Sequence, residues 1–196
     1  STSRARRVMQ QKYKVRQNMI ALKQKSRVFC LPGNYDMDLK YTALHQQDLH
    51  LHWYQLDQLR IAGYGGADVW TAGIPERYIV NYRAGIGVDE KHNEMYRFFK
   101  AVKPDIIVTH QPPYGIHDGV PSTGPSGSPT LRSFCDSNPV ILSLSGHIHA
   151  ACGFQVVDGI VHLNPSNFGE VTEITAEVNE GGFFGDRNRG EADRQG

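Results

Sequence analysis

Three short apolar runs, each stopped by a turn that ends in a polar residue, constrain this chain more than any other feature. Residues 27–31 (Arg-Val-Phe-Cys-Leu) lead into Pro32-Gly33-Asn34-Tyr35-Asp36. Ile106-Ile107-Val108-Thr109 leads into His110-Gln111-Pro112-Pro113. Residues 140–145 (Val-Ile-Leu-Ser-Leu-Ser) lead into Gly146-His147-Ile148-His149. Apolar runs this short, bounded by Gly and Pro, read as buried strands. A fourth strand is expected over 58–63, stopped by the glycines at 63–66. Helices are expected over 89–102, with Asp89 as cap and Met95, Phe98, Phe99 and Val102 on one face, and over 130–135. Asp158-Gly159 between two alternating runs predicts a hairpin, followed by one more strand over 171–178. Strands alternating with helices define an α/β chain. It reads as one domain over 1–180, followed by a Gly-rich charged tail over 181–196.

Charge divides the chain unevenly. Residues 1–27 carry nine basic side chains and no acidic one, +9 against a whole-chain charge of +1, which leaves −8 on the remainder. A helix is expected over 4–25, with Val8, Val15, Met19 and Leu22 on its apolar face and the basic residues outward. The same segment also has the composition of a mitochondrial targeting helix or of an arm that docks on an acidic partner. Nucleic-acid binding gains little support, because no aromatic residues interleave with the charge. No apolar stretch is long enough to span a bilayer as a helix. Cys30, Cys135 and Cys152 are too few and too widely spaced for a disulfide scaffold or a zinc ribbon, which points to a reducing compartment such as the cytoplasm.

Open α/β sheets place ligand sites at the carboxyl ends of their strands. Here those ends carry Asn34, His110, His147 and His149. Imidazole suits Zn, Fe or Mn, and an amide carbonyl adds a hard oxygen donor. The ordered set of Gly33-Asn34-Tyr35-Asp36, Thr109-His110-Gln111-Pro112-Pro113 and Gly146-His147-Ile148-His149, followed by Asn164-Pro165-Ser166, resembles the later motifs of the calcineurin-like metallophosphoesterases. That resemblance implies a metallophosphoesterase-like two-sheet α-β-β-α sandwich, lacking its first strands in this sequence. It also implies a pair of divalent ions (Mn, Fe, Zn or Mg), with Asn34, His110 and His147 on the second and His149 on the first. The expected activity is hydrolysis of a phosphomonoester or phosphodiester by a metal-bridging hydroxide.

Two positions depart from the family pattern. The family's general acid is usually a histidine where this chain has Tyr35, whose phenol holds its proton too tightly for efficient acid catalysis at pH 7. Tyr35 is therefore expected to orient a phosphate oxygen, and His117, beside Asp118, to lie on the substrate side. The family's upstream D-x-H and Gly-Asp segments have no counterpart before Gly33, where no Asp, Glu or His occurs. Two readings follow. The chain is part of a longer phosphoesterase, completed by an N-terminal segment or a protein partner that covers the missing strands. Alternatively it is a non-catalytic scaffold of the same fold. Gly185-Asp186 in the tail is a poor substitute for the missing ligands. His45, His50 and His52 read as surface residues.

Overall fold

The structure is a computed structural model that describes residues 2–23, 27–67, 79–80, 92–120 and 124–165. The expected strand 171–178, the tail 181–196 and Asp89 itself lie outside the described residues. The helix expected to start at Asp89 begins at Glu94, because Asn93 is the residue whose side chain caps it.

The centre is a mixed six-stranded sheet of β1 (His52–Leu56), β2 (Leu59–Tyr64), β3 (Ile106–Thr109), β6 (Leu142–Leu144), β7 (Gly153–Val157) and β8 (Ile160–Asn164), in the order β1-β2-β3-β6-β8-β7. Strands β2, β3, β6 and β8 run parallel, so their carboxyl ends share one edge. Antiparallel hairpins close both flanks. The β7–β8 turn has Asp158 at φ 51° and Gly159 at φ 80°, the left-handed pair that tight hairpins demand. A second, two-stranded sheet pairs β4 (Gly119–Val120) with β5 (Gly124–Pro125) inside the loop after β3.

The two faces of the large sheet are covered differently. Ala62, Tyr64, Ile107 and Ile160 pack under helices α2 (Glu94–Val102) and α3 (Pro129–Ser137), through Met95, Phe99, Leu131 and Phe134. Both helices have side-chain N-caps: Asn93 accepts from the Tyr96 amide and Ser128 from the Leu131 amide. On the opposite face Ile61, Ile106 and Leu142 lie beneath Leu49, with Phe29, Leu31 and Tyr54 packed against them. Mixed strands with helices on one face and a second small sheet agree with the α/β architecture that the sequence resemblance implies.

Three local expectations change. Residues 27–31 do not build a strand ladder; Cys30 makes a single parallel bridge to Asp48. Strand β1, unanticipated in the sequence, pairs along the edge of β2. Helix α1 (Thr2–Lys23) forms, but it buries a different face. Val8 and Val15 are 61% and 49% exposed, while Tyr13 is fully buried among Met37, Leu39 and Leu44, with Met9 and Ile20 beside it. A tyrosine offers more apolar area than a valine and carries a hydroxyl that finds partners here.

Candidate metal centre

Asn34, His110 and His147 come together at the shared edge of the parallel strands. His110 follows β3 directly, with its Nε2 2.9 Å from Asn34 Oδ1 and 3.1 Å from His147 Nδ1. The two imidazoles meet edge to face at 4.9 Å between centroids. Burial, reinforced by His147, pushes the His110 pKa down to about 4. His110 therefore offers a neutral lone pair at pH 7. With His110 Nε2 unprotonated, its lone pair, the Asn34 Oδ1 lone pair and that of His147 Nδ1 can be taken together by one divalent cation. The donor set fits such an ion. Among the described residues, however, no three His, Cys, Asp or Glu side chains group as a metal cage. What converges is two imidazoles and one amide, with no carboxylate added.

Each donor is aimed by its backbone. Gly33 lies against the His110 ring so closely that a Cβ there would meet Cε1 at 2.8 Å. The Asn34 turn is tied by Asp36, which accepts from the Gly33 amide (3.1 Å) and the Tyr13 hydroxyl (2.9 Å). The same hydroxyl accepts from the buried Met37 amide at 2.9 Å. Asp36 also meets Lys12 at 3.5 Å and Arg16 at 3.8 Å. It is thus committed to α1. Desolvation, with Asp36 beside it, raises the Tyr13 pKa further above its ordinary value. His147 adopts φ 66°, a strained conformation for a residue with a side chain. Gly146 donates to the His110 carbonyl at 3.0 Å, which joins the two histidine segments.

The other expected site residues are placed less centrally. His149 opens a 3₁₀ turn at His149–Ala151, itself exposed and close enough to act electrostatically on His110. Tyr35 is 72% exposed beside Asn34. His117 is half-buried at φ 50°, with Nδ1 3.1 Å from the Ala151 carbonyl. Asp118 is buried and accepts from the Gly115 and Gly127 amides, so it closes its own loop. His50 is not a surface residue. Its Nδ1 accepts from the Gly65 amide at 3.1 Å, its ring meets Tyr64 edge to face, and burial lowers its pKa to about 4.

Two contributors do not stand out in the sequence. Tyr13 has a signal in the Met9–Tyr13–Ile20 spacing, which is as helical as the valine stripe. Asn164, fully buried at the end of β8, enters the sequence pattern only as part of a turn; its contacts depend on tertiary packing.

The model of the calcineurin-like phosphoesterase family matches residues 5–151. A crystal structure superposes with a TM-score of 0.58 at 18% identity, over 82% of this chain and 63% of that one. The chain therefore spans less than two thirds of that protein's length, and the likeness is one of fold. No curated protein sequence matches the chain.

Proposed function

The chain belongs to the calcineurin-like phosphoesterase family, and from that premise we propose that Asn34, His110 and His147 hold a divalent cation, with His149 at its edge, in a site for phosphate-ester hydrolysis. The observation that carries the proposal is the convergence of Asn34 Oδ1, His110 Nε2 and His147 Nδ1 within hydrogen-bond distance.

Bound there, divalent ions such as Mn, Fe, Zn or Mg supply Lewis acidity and an activated water. The chain's own residues supply placement. His110 stays neutral and presents its lone pair. Gly33 leaves room for the ring, and Asp36 holds the Asn34 turn on α1. Tyr35, exposed beside the donors, is assigned to a phosphate oxygen through its hydroxyl and not to protonation of the leaving group.

The described residues add no carboxylate to this cluster, so the proposal includes a preceding segment or a partner chain that supplies it. The scaffold reading draws on the same observation. Among the described residues no helix is long and apolar enough to cross a membrane. All three cysteines are unpaired, which supports a cytoplasmic place of action.

Equilibrium dialysis against Mn²⁺ and hydrolysis of bis(p-nitrophenyl) phosphate test this together. Residues 1–196 should bind about one Mn²⁺ per chain and lose it in His147→Ala, while hydrolysing the ester little or not at all. Retention of Mn²⁺ by His147→Ala would remove the metal assignment. Robust Mn²⁺-dependent turnover by residues 1–196 would show that no further ligand is needed. In a completed enzyme Tyr35→Phe should cost about one to two decades in rate, the worth of one hydrogen bond to a charged oxygen.

A further inference from the structure

The loop that carries His147 and His149 hangs on two side chains from elsewhere in the chain. Asn164, at the carboxyl end of β8, donates from Nδ2 to the Ile148 carbonyl at 2.9 Å and to the Ala151 carbonyl at 3.2 Å. Those two carbonyls flank His149. His117 Nδ1 approaches the same Ala151 oxygen at 3.1 Å. A carbonyl only accepts, so Nδ1 carries the proton and His117 is the second donor. Its Nε2 is buried and has no hydrogen-bond partner among the described residues. It is turned away from solvent, where a phosphate would approach.

The loop needs such support. His147 has a positive φ, a conformation that costs a non-glycine residue free energy and persists only where the surroundings over-determine it. The internal bonds, from the Ile148 amide to Gly146 at 2.7 Å and from the Ala151 amide to Ile148 at 3.2 Å, shape the loop, which runs on into the β7 ladder where Gly153 pairs with Asn164. Between Gly146 and that ladder, the Asn164 and His117 side chains hold the Ile148 and Ala151 carbonyls.

We propose that Asn164 and His117 are positioning residues, which clamp the 146–151 loop and so fix the His147 and His149 imidazoles for metal binding. The proposal rests on the reading of His147 as a ligand. It moves His117 from substrate contact to loop support.

The test uses Asn164→Ala, His117→Ala and His117→Asn in the 196-residue chain, with amide hydrogen exchange in the absence of metal and a Co²⁺ titration followed by visible absorption. Both alanine variants should speed exchange of the Ile148 and Ala151 amides by about tenfold or more, while the β2–β3 amides stay as in wild type. His117→Asn should recover part of the protection, because an asparagine amide can donate to the same carbonyl and tolerates the left-handed backbone. Co²⁺ affinity should fall by about tenfold in the alanine variants, with an altered absorption band, and return in part with asparagine. Unchanged exchange at 146–151, or an equal rise throughout the sheet, would overturn the clamp. A wild-type chain that binds no Co²⁺ would sink the metal reading alone, because the exchange data still decide whether the clamp exists.

Discussion

Gly33 and His110 show how little side chain can matter as much as the right one. The His110 ring fills the space where a Cβ on residue 33 would stand, 2.8 Å from Cε1, nearer than real Cβ contacts. Gly33→Ala should therefore displace the ring from Asn34 and lower Mn²⁺ affinity by about tenfold or more, with a smaller loss of stability, as read by calorimetric titration and urea unfolding. The sequence announces His110 and His147 because each follows an apolar run at a strand end, where chemistry collects. It cannot announce Asn164 or the orientation of His117. Both act through backbone carbonyls of a loop, across one hairpin for Asn164 and across 34 residues for His117, and a carbonyl leaves no residue-type signal. The same holds for His50, whose interior position depends on the Gly65 amide arriving beside it.

Among the elements, α1 is legible as a helix and illegible as a packing surface. Periodicity alone allows both a valine face and a Met9–Tyr13–Ile20 face. The choice falls to Tyr13 because its hydroxyl meets Asp36 and the Met37 amide while its ring fills the space among Met37, Leu39 and Leu44. Tyr13→Phe keeps the ring and strands a buried amide. It should cost about 1–3 kcal/mol in urea unfolding and weaken Mn²⁺ binding several-fold, because Asn34 rides on the same turn. The β7–β8 hairpin is legible for the opposite reason: Asp158-Gly159 states its own turn geometry. Strand β1 is hidden because none of its residues is fully buried and it opens with two exposed residues, His52 and Trp53, so it carries no clear in–out alternation at its start. The 27–31 run has the pattern of a strand, yet its apolar residues cover the sheet without joining it as one.

Across the whole molecule, buried histidines make the fold acid-sensitive. Burial lowers the pKa of His50 and of His162 to about 4 each from 6.5. Between those values the unfolded chain binds more protons than the folded one, so stability is lost as pH falls through that window. Asp48 works in the opposite direction. Desolvation raises it to about 6 from 3.8, so acidification through that range favours the fold. Two histidines outweigh one aspartate, because every tenfold change in proton affinity is worth about 1.4 kcal/mol. His110 adds a third histidine whenever no metal holds its lone pair. Stability should fall by at least about 2 kcal/mol between pH 7 and pH 5 in urea unfolding. His162→Leu should remove most of the contribution that His50 and His162 make net of Asp48, and an unchanged pH slope would contradict the assignment.

Both flanks of the sheet are hairpins between neighbouring strands, β1–β2 and β7–β8, while the parallel core joins strands distant in sequence. Hairpins close in microseconds; long-range parallel pairings come late, after much larger loops have been closed. His110 and His147 become neighbours only through the late β3–β6 pairing, and Asn34 meets them once residues 27–36 cover the finished sheet. During refolding the chain should therefore acquire its edges well before its lone pairs converge, and a metal added at the start would find nothing to bind until the slowest sheet-forming step is over.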